Sequence, residues 1–146
     1  MATLTITVTE AVTLGDGSTD RGTTNTQTVT VDEVDHRIMD VPTSWTEIIK
    51  FAGANAAGTF ADGTVKYLRI TNLDGSNFLS LRIRTNSTEY FVKVEAEDHF
   101  ILGNNVMDAE SSTGFGSDVS FVNIDSIWCK ADTAAVQLEY FVASAS

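Results

Sequence analysis

The first 31 residues alternate threonine with apolar residues, and this alternation constrains the fold more than any other feature of the chain. Leu4, Ile6 and Val8 are each flanked by threonines, so an extended chain places their three side chains on one face. Thr26 to Val31 repeats the pattern. Because residues branched at Cβ favour the pleated conformation, both segments are predicted to be half-buried β-strands.

Short apolar segments separated by polar turns continue along all 146 residues. We predict further strands at 36–41, 45–51, 65–73, 77–85, 90–94, 100–102, 119–128 and 135–142. Residues 45–51 also fit a helical turn, but β-branched Ile48 and Ile49 favour a strand. Residues 52–63 and 104–118 are predicted loops, and the second is long enough to carry a function.

About nine to ten strands with almost no helix predict an all-β fold. We expect an antiparallel two-sheet sandwich that is jelly-roll-like, with a barrel as the alternative. The length and the lack of a composition break indicate a single domain over residues 1–146.

The two strands at 65–73 and 77–85 are joined by Asp74-Gly75-Ser76, a connection of hairpin length. We therefore predict an antiparallel hairpin in which Arg69 lies near Arg82. Alternation buries Leu68, Ile70, Leu79, Leu81 and Ile83 and turns four other residues outward, Tyr67, Arg69, Arg82 and Arg84.

These four outward residues, Tyr67, Arg69, Arg82 and Arg84, are the candidate protein-interface residues. Like charges directly opposite each other destabilise a sheet, so the arginines need compensation. Solvent, salt and a nearby acidic loop could supply it, or else an acidic surface on a neighbouring subunit that pairs with the arginine forks.

The charge of the chain is uneven along its length. The 20 acidic and nine basic residues give a net charge of −11, yet residues 66–93 carry +3 and the remainder −14. Because nucleic-acid binders need clustered Lys and Arg, the overall acidity argues against a nucleic-acid partner. No apolar run approaches a membrane span and the first residues lack a signal-peptide pattern, so we expect no membrane partner and synthesis in the cytoplasm.

Residues that could support catalysis are sparse. His36 and His99 lie 63 positions apart, and neither has metal-ligand spacing. Cys129 and Trp128 fall in a strand pattern and are both interpreted as core residues. We therefore expect no enzyme activity, no catalytic residues, no cofactor and no metal. A metal-dependent jelly-roll enzyme would need two or three histidines close in space.

Two acidic features are weaker candidates for cation binding. Residues 15–22 place Asp16, Ser18 and Asp20 at alternate positions, similar to a calcium loop, but Arg21 replaces the expected glycine and no glutamate follows. A solvated loop is the favoured interpretation. The acidic turns 32–35 and 95–98 are also read as solvated, with a cation shared across a subunit interface as the alternative.

Several segments resemble small β-sandwich virion proteins of tailed bacteriophages. They are 66–73, the return strand 78–83, 99–102, and the closing segments 124–128 and 136–140, within residues 65–143. The resemblance implies a non-enzymatic structural protein that assembles in many copies. It would bind the assembled capsid as a decoration or cement protein, or else belong to the tail, collar or fibre. It also implies location in the virion and a partner that is the major capsid protein or another virion protein.

Two further expectations concern binding. A carbohydrate-binding β-sandwich module is the second functional hypothesis, with Trp45, Trp128 and Tyr67 as the aromatic candidates. The Thr-rich first strand and the last strand are predicted sheet edges, and an unpaired edge can add a strand from a neighbour. We therefore predict a homo-oligomer, with a trimer favoured.

Overall fold

The computed structural model describes residues 2–13, 15, 21–53, 56–103, 108–109 and 122–145, and these residues form twelve β-strands and no helix. The strands are β1 Ala2–Val12, β2 Arg21–Val31, β3 Glu33–Val41, β4 Thr46–Ala52, β5 Thr59–Ala61, β6 Val65–Asn72, β7 Leu79–Thr85, β8 Glu89–Val94, β9 His99–Gly103, β10 Asp108–Ala109, β11 Val122–Ala131 and β12 Val136–Ser144.

The strands form two packed sheets and a separate ribbon. One sheet has the order β5-β4-β11-β7-β8, with β10 beside β11, and the other has the order β3-β12-β6-β9. Strands β1 and β2 pair only with each other in the described part of the chain. All pairs are antiparallel except the short pair between β4 and β5. The prediction that the last strand is a sheet edge is wrong, because β12 lies between β3 and β6. The predicted all-β, antiparallel two-sheet sandwich is confirmed.

The core lies between the six-stranded and four-stranded sheets. In β12 the alternate residues Val136, Leu138, Tyr140 and Val142 have no exposed surface, as period-two burial requires. The predicted buried residues of β6 and β7, which are Leu68, Ile70, Leu79, Leu81 and Ile83, join the same core cluster at 0% exposure. Cys129 is also fully buried in this cluster, which confirms its interpretation as a core residue.

The predicted hairpin between 65–73 and 77–85 is wrong. Strand β6 pairs with β12 and β9, whereas β7 pairs with β11 and β8, so the connection crosses from one sheet to the other. Such a connection between two sheets is an arch. The strands of an arch and those of a hairpin both turn one apolar face toward the core, so the alternation of residues cannot distinguish the two.

Buried Asn72 holds this arch in place. Its Nδ2 donates to the carbonyls of Asn77 at 2.8 Å and Glu95 at 2.9 Å, and its Oδ1 accepts from the Asp74 amide at 3.0 Å. Asp74 Oδ1 then accepts from the amides of Ser76 at 2.8 Å and Asn77 at 2.7 Å. These polar side chains therefore provide hydrogen-bond partners for the backbone groups of the segment that leaves one sheet and enters the other.

Other turn predictions have mixed outcomes. Residues 59–61, predicted as loop, form β5 beside β4. Asp16, Ser18 and Asp20 of the calcium-like loop lie outside the described residues. So do 104–107 and 110–118 of the second predicted loop, whose residues 108–109 form β10.

Candidate functional site

The four predicted interface residues lie on opposite sides of the sandwich. Tyr67 and Arg69 are on the outer face of the four-stranded sheet, and Arg82 and Arg84 are on the outer face of the six-stranded sheet. The predicted proximity of Arg69 and Arg82 is therefore wrong. Each arginine pairs with a carboxylate on its own sheet. The alternation correctly indicates which residues point outward, but the change of sheet divides them between two surfaces.

On the four-stranded sheet, Arg69 forms an ion pair with Glu139 of the neighbouring β12. Glu139 also contacts His36 Nε2 of β3 at 3.4 Å. Ile38 and Ile101 lie on this outer face, one on each edge strand, and are 54% and 40% exposed. The face therefore combines exposed aliphatic side chains with a central charged group that is already paired.

Tyr67 is partly covered by the ribbon. Leu4, Ile6, Val29 and Val31 of the ribbon pack against Tyr67, Phe141 and Ala143 at one end of the four-stranded sheet. The rings of Tyr67 and Phe141 meet edge to face at 6.0 Å. Because of this cover, Tyr67 offers less surface to a partner than its outward position in the strand suggests.

The ribbon extends well beyond this contact. Its strands have 11 residues each, which corresponds to roughly 37 Å of extended chain. Every described side chain in 7–13 and 22–28 is exposed, and Val8 and Val12 are each 49% exposed. A two-stranded ribbon is marginally stable alone in water. Because contact with a partner would bury these exposed side chains and stabilise the ribbon, its outer part is a candidate binding surface.

The outer face of the six-stranded sheet carries an aromatic cluster. The pairing places Glu47, Trp128, Arg82 and Phe91 in one row across four strands. Trp45, just before β4, lies 5.8 Å from the Phe91 ring and 5.9 Å from the Arg82 guanidinium. We name Trp45, Arg82 and Phe91 the aromatic platform. Phe91 is 59% exposed, an unusual position for a side chain of this size.

The carboxylate of Glu89 fixes Arg82 of the platform. Arg82 donates to Glu89 Oε2 from Nε and Nη2, and Arg84 Nε lies 3.6 Å from the same oxygen. The next rows of this face contain Lys50 beside Ser126 and Arg84, and Lys130 beside Ser80 and Lys93. Five of the nine basic residues therefore lie on this face, namely Lys50, Arg82, Arg84, Lys93 and Lys130.

Trp128 faces outward, contrary to its interpretation as a core residue. It follows Ile127 and precedes Cys129, both fully buried, and adjacent strand residues point to opposite sides of a sheet. Its Nε1 donates to Ser126 Oγ at 3.0 Å. Two of the three aromatic candidates for sugar binding, Trp45 and Trp128, therefore share one face, whereas Tyr67 lies on the other sheet.

Metal-binding and nucleophilic side chains are the other candidates for a functional site. The described residues contain no cluster of three or more His, Cys, Asp or Glu side chains with metal-binding geometry. Burial raises the pKa of the Cys129 thiol to about 12. Burial and the hydrogen bond to Asp35 Oδ2, at 2.8 Å, raise the pKa of Tyr140 to about 12. Both groups thus stay protonated at neutral pH.

Comparisons of the chain with protein-family models, curated proteins and solved structures give no match. The described ranges also hold no helix with the length and apolar character that crossing a bilayer requires.

Proposed function

We propose that this chain is a non-enzymatic structural protein of a tailed-phage virion, which binds the assembled capsid surface as a decoration or cement protein. The observation that supports it is the presence of two different exposed surfaces on opposite sides of one rigid sandwich. One is the aliphatic face around Ile38 and Ile101, and the other is the aromatic platform. A protein that covers a lattice needs one surface for the shell and another for its neighbours.

The aliphatic face is the better surface for the shell. Ile38 and Ile101 flank the Arg69–Glu139 ion pair, so each edge strand presents an exposed aliphatic side chain beside a charged centre that is already paired. Burial of such side chains contributes about 25 cal/mol per Å² of apolar surface. Because the protein would bind the assembled lattice and not separate subunits, binding would stabilise the lattice by mass action.

Purified particles provide the test. Mass spectrometry of the virion should detect the chain, and recombinant protein should bind shells that lack it while ignoring unassembled capsid subunits. Ile38→Asp and Ile101→Asp should each abolish shell binding. Ser80→Asp introduces the same carboxylate on the outer face of the six-stranded sheet, outside the aromatic platform, so it is the matched control and should retain shell binding. Absence of the chain from the virion would refute the proposal.

A further inference from the structure

The outer part of the ribbon forms an open groove. Its volume is about 440 Å³, within the range of ligand pockets, and it is lined by Ile6, Val8, Glu10, Thr23, Thr24, Asn25 and Gln27. Val8 lies opposite Asn25, and Glu10 lies opposite Thr23, so these side chains share a face of the ribbon. The groove therefore offers two aliphatic side chains and one carboxylate among neutral polar side chains.

The aromatic platform has the complementary features. Phe91 is 59% exposed and Arg84 has a side chain that is 42% exposed. The surrounding face carries five of the nine basic residues together with Glu47 and Glu89, whereas residues 2–31 contain three acidic residues and one basic residue, Arg21. Complementary charge of this kind fixes the register of a contact and favours the encounter of its two surfaces.

The groove and the platform cannot meet within one chain. The ribbon packs on the outer face of the four-stranded sheet through Tyr67, Phe141 and Ala143, and the platform lies on the outer face of the six-stranded sheet. The full thickness of the sandwich separates these faces. A contact between groove and platform therefore requires two molecules.

We propose that the ribbon groove of one copy receives the aromatic platform of a second copy, with Phe91 against Val8 and Glu10 paired with Arg84. The two contacting surfaces differ, so the contact is head-to-tail and generates a ring when the rotation closes. This inference rests on the proposed function, in which one surface contacts neighbouring copies, and it names the residues of that contact. Its failure leaves the shell-binding experiment unaffected.

Site-directed cross-linking tests the contact with the full chain. Asn25→Cys and Lys93→Cys are purified separately with different affinity tags, mixed and mildly oxidised. Lys93 is two residues from Phe91 on the same face of β8, so this substitution leaves the Phe91 side chain in place. Cys129 is fully buried and stays unreactive, so only the introduced thiols can couple. We expect a mixed disulfide dimer. Asn25→Cys mixed with Ile101→Cys, which places the thiol on the opposite sheet, is the control. A mixed yield no greater than in this control overturns the proposal.

Charge reversal supplies an independent readout. Glu10→Arg and Arg84→Glu should each weaken self-association at least about tenfold in sedimentation equilibrium, because each places like charges together. The double variant restores opposite charges and should recover most of the affinity. Both positions lie on strand surfaces, and circular dichroism verifies that each variant folds. A double variant no tighter than the single variants contradicts the proposed pairing.

Two further results would overturn the inference. One is wild-type protein that remains monomeric in sedimentation at the highest soluble concentration. The other is a glycan array on which monomeric protein binds a sugar and Phe91→Ser abolishes that binding, since the platform would then be a carbohydrate site.

Discussion

The guanidinium of Arg82 lies over the ring of Trp45, 5.9 Å from its centre. Glu89 accepts hydrogen bonds from the same guanidinium, so Arg82 is held between an aromatic ring and a carboxylate. The side chain of Arg82 is 25% exposed in this arrangement. An arginine held in this way loses little further rotamer freedom when a partner binds, which favours its use at an interface.

The stacking of Trp45 on Arg82 should be measurable as a coupling energy. In a double-mutant cycle with Trp45→Ala and Arg82→Ala, we expect coupling of about 0.5–1 kcal/mol in urea unfolding, typical of a cation–π contact near the surface. The cycle of Trp45→Ala with Lys130→Ala, a lysine two residues from Trp128 in β11, is the control. Equal coupling in both cycles would show that the Arg82 contact contributes nothing specific.

Asn72 should be critical to stability. Asn72→Ala leaves the Asn77 and Glu95 carbonyls and the Asp74 amide without the partners that the side chain supplies. Because unsatisfied buried groups cost about 1–3 kcal/mol each, we expect a loss of at least about 2 kcal/mol in urea unfolding. Exposed Asn86→Ala should change the free energy of unfolding by less than about 0.5 kcal/mol. Similar effects of the two substitutions would contradict the role given to Asn72.

Because of Asp74, the free energy of unfolding should decrease at acidic pH. Hydrogen bonds from the amides of Asn77 and Ser76 lower the pKa of Asp74 from its usual 3.8. A lowered folded-state pKa gives stability that is present above 3.8 and is lost as pH falls through the folded-state pKa. Asp74→Asn keeps an accepting oxygen but cannot titrate, so its unfolding free energy should fall less steeply in this range. Ser76→Ala keeps both amide donors and should follow the wild type.

The thiol of Cys129 should react only when the core opens. Its side chain is fully buried and its pKa is raised to about 12, so the folded protein offers neither access nor thiolate. Labelling with an aromatic disulfide should be negligible in buffer and complete in denaturant. At intermediate denaturant the labelling rate should follow the unfolding equilibrium measured by fluorescence. Rapid labelling of the native protein would disprove the placement of Cys129 in the core.

Much of the local structure is predictable from residue order. The alternation of Leu4, Ile6 and Val8 identifies β1, and the same period identifies the buried residues of β6 and β7. Trp128 is where the sequence-based prediction is wrong, because the core contains its neighbour Cys129 while Trp128 faces outward. In a regular strand, two adjacent residues point to opposite faces of the sheet. Strict application of the period would have placed Trp128 on the surface.

The amino-acid sequence by itself determined the all-β character and the inward and outward sides of most strands. It also determined that the net positive charge lies in residues 66–93. These properties follow from the period-two geometry of a single extended chain. Only the tertiary structure decided which sheet each strand joins, because that choice depends on pairing between residues distant in sequence. The arch at Asp74 therefore separates Arg69 from Arg82, and the pairing of β7 with β11 and β8 assembles the aromatic platform.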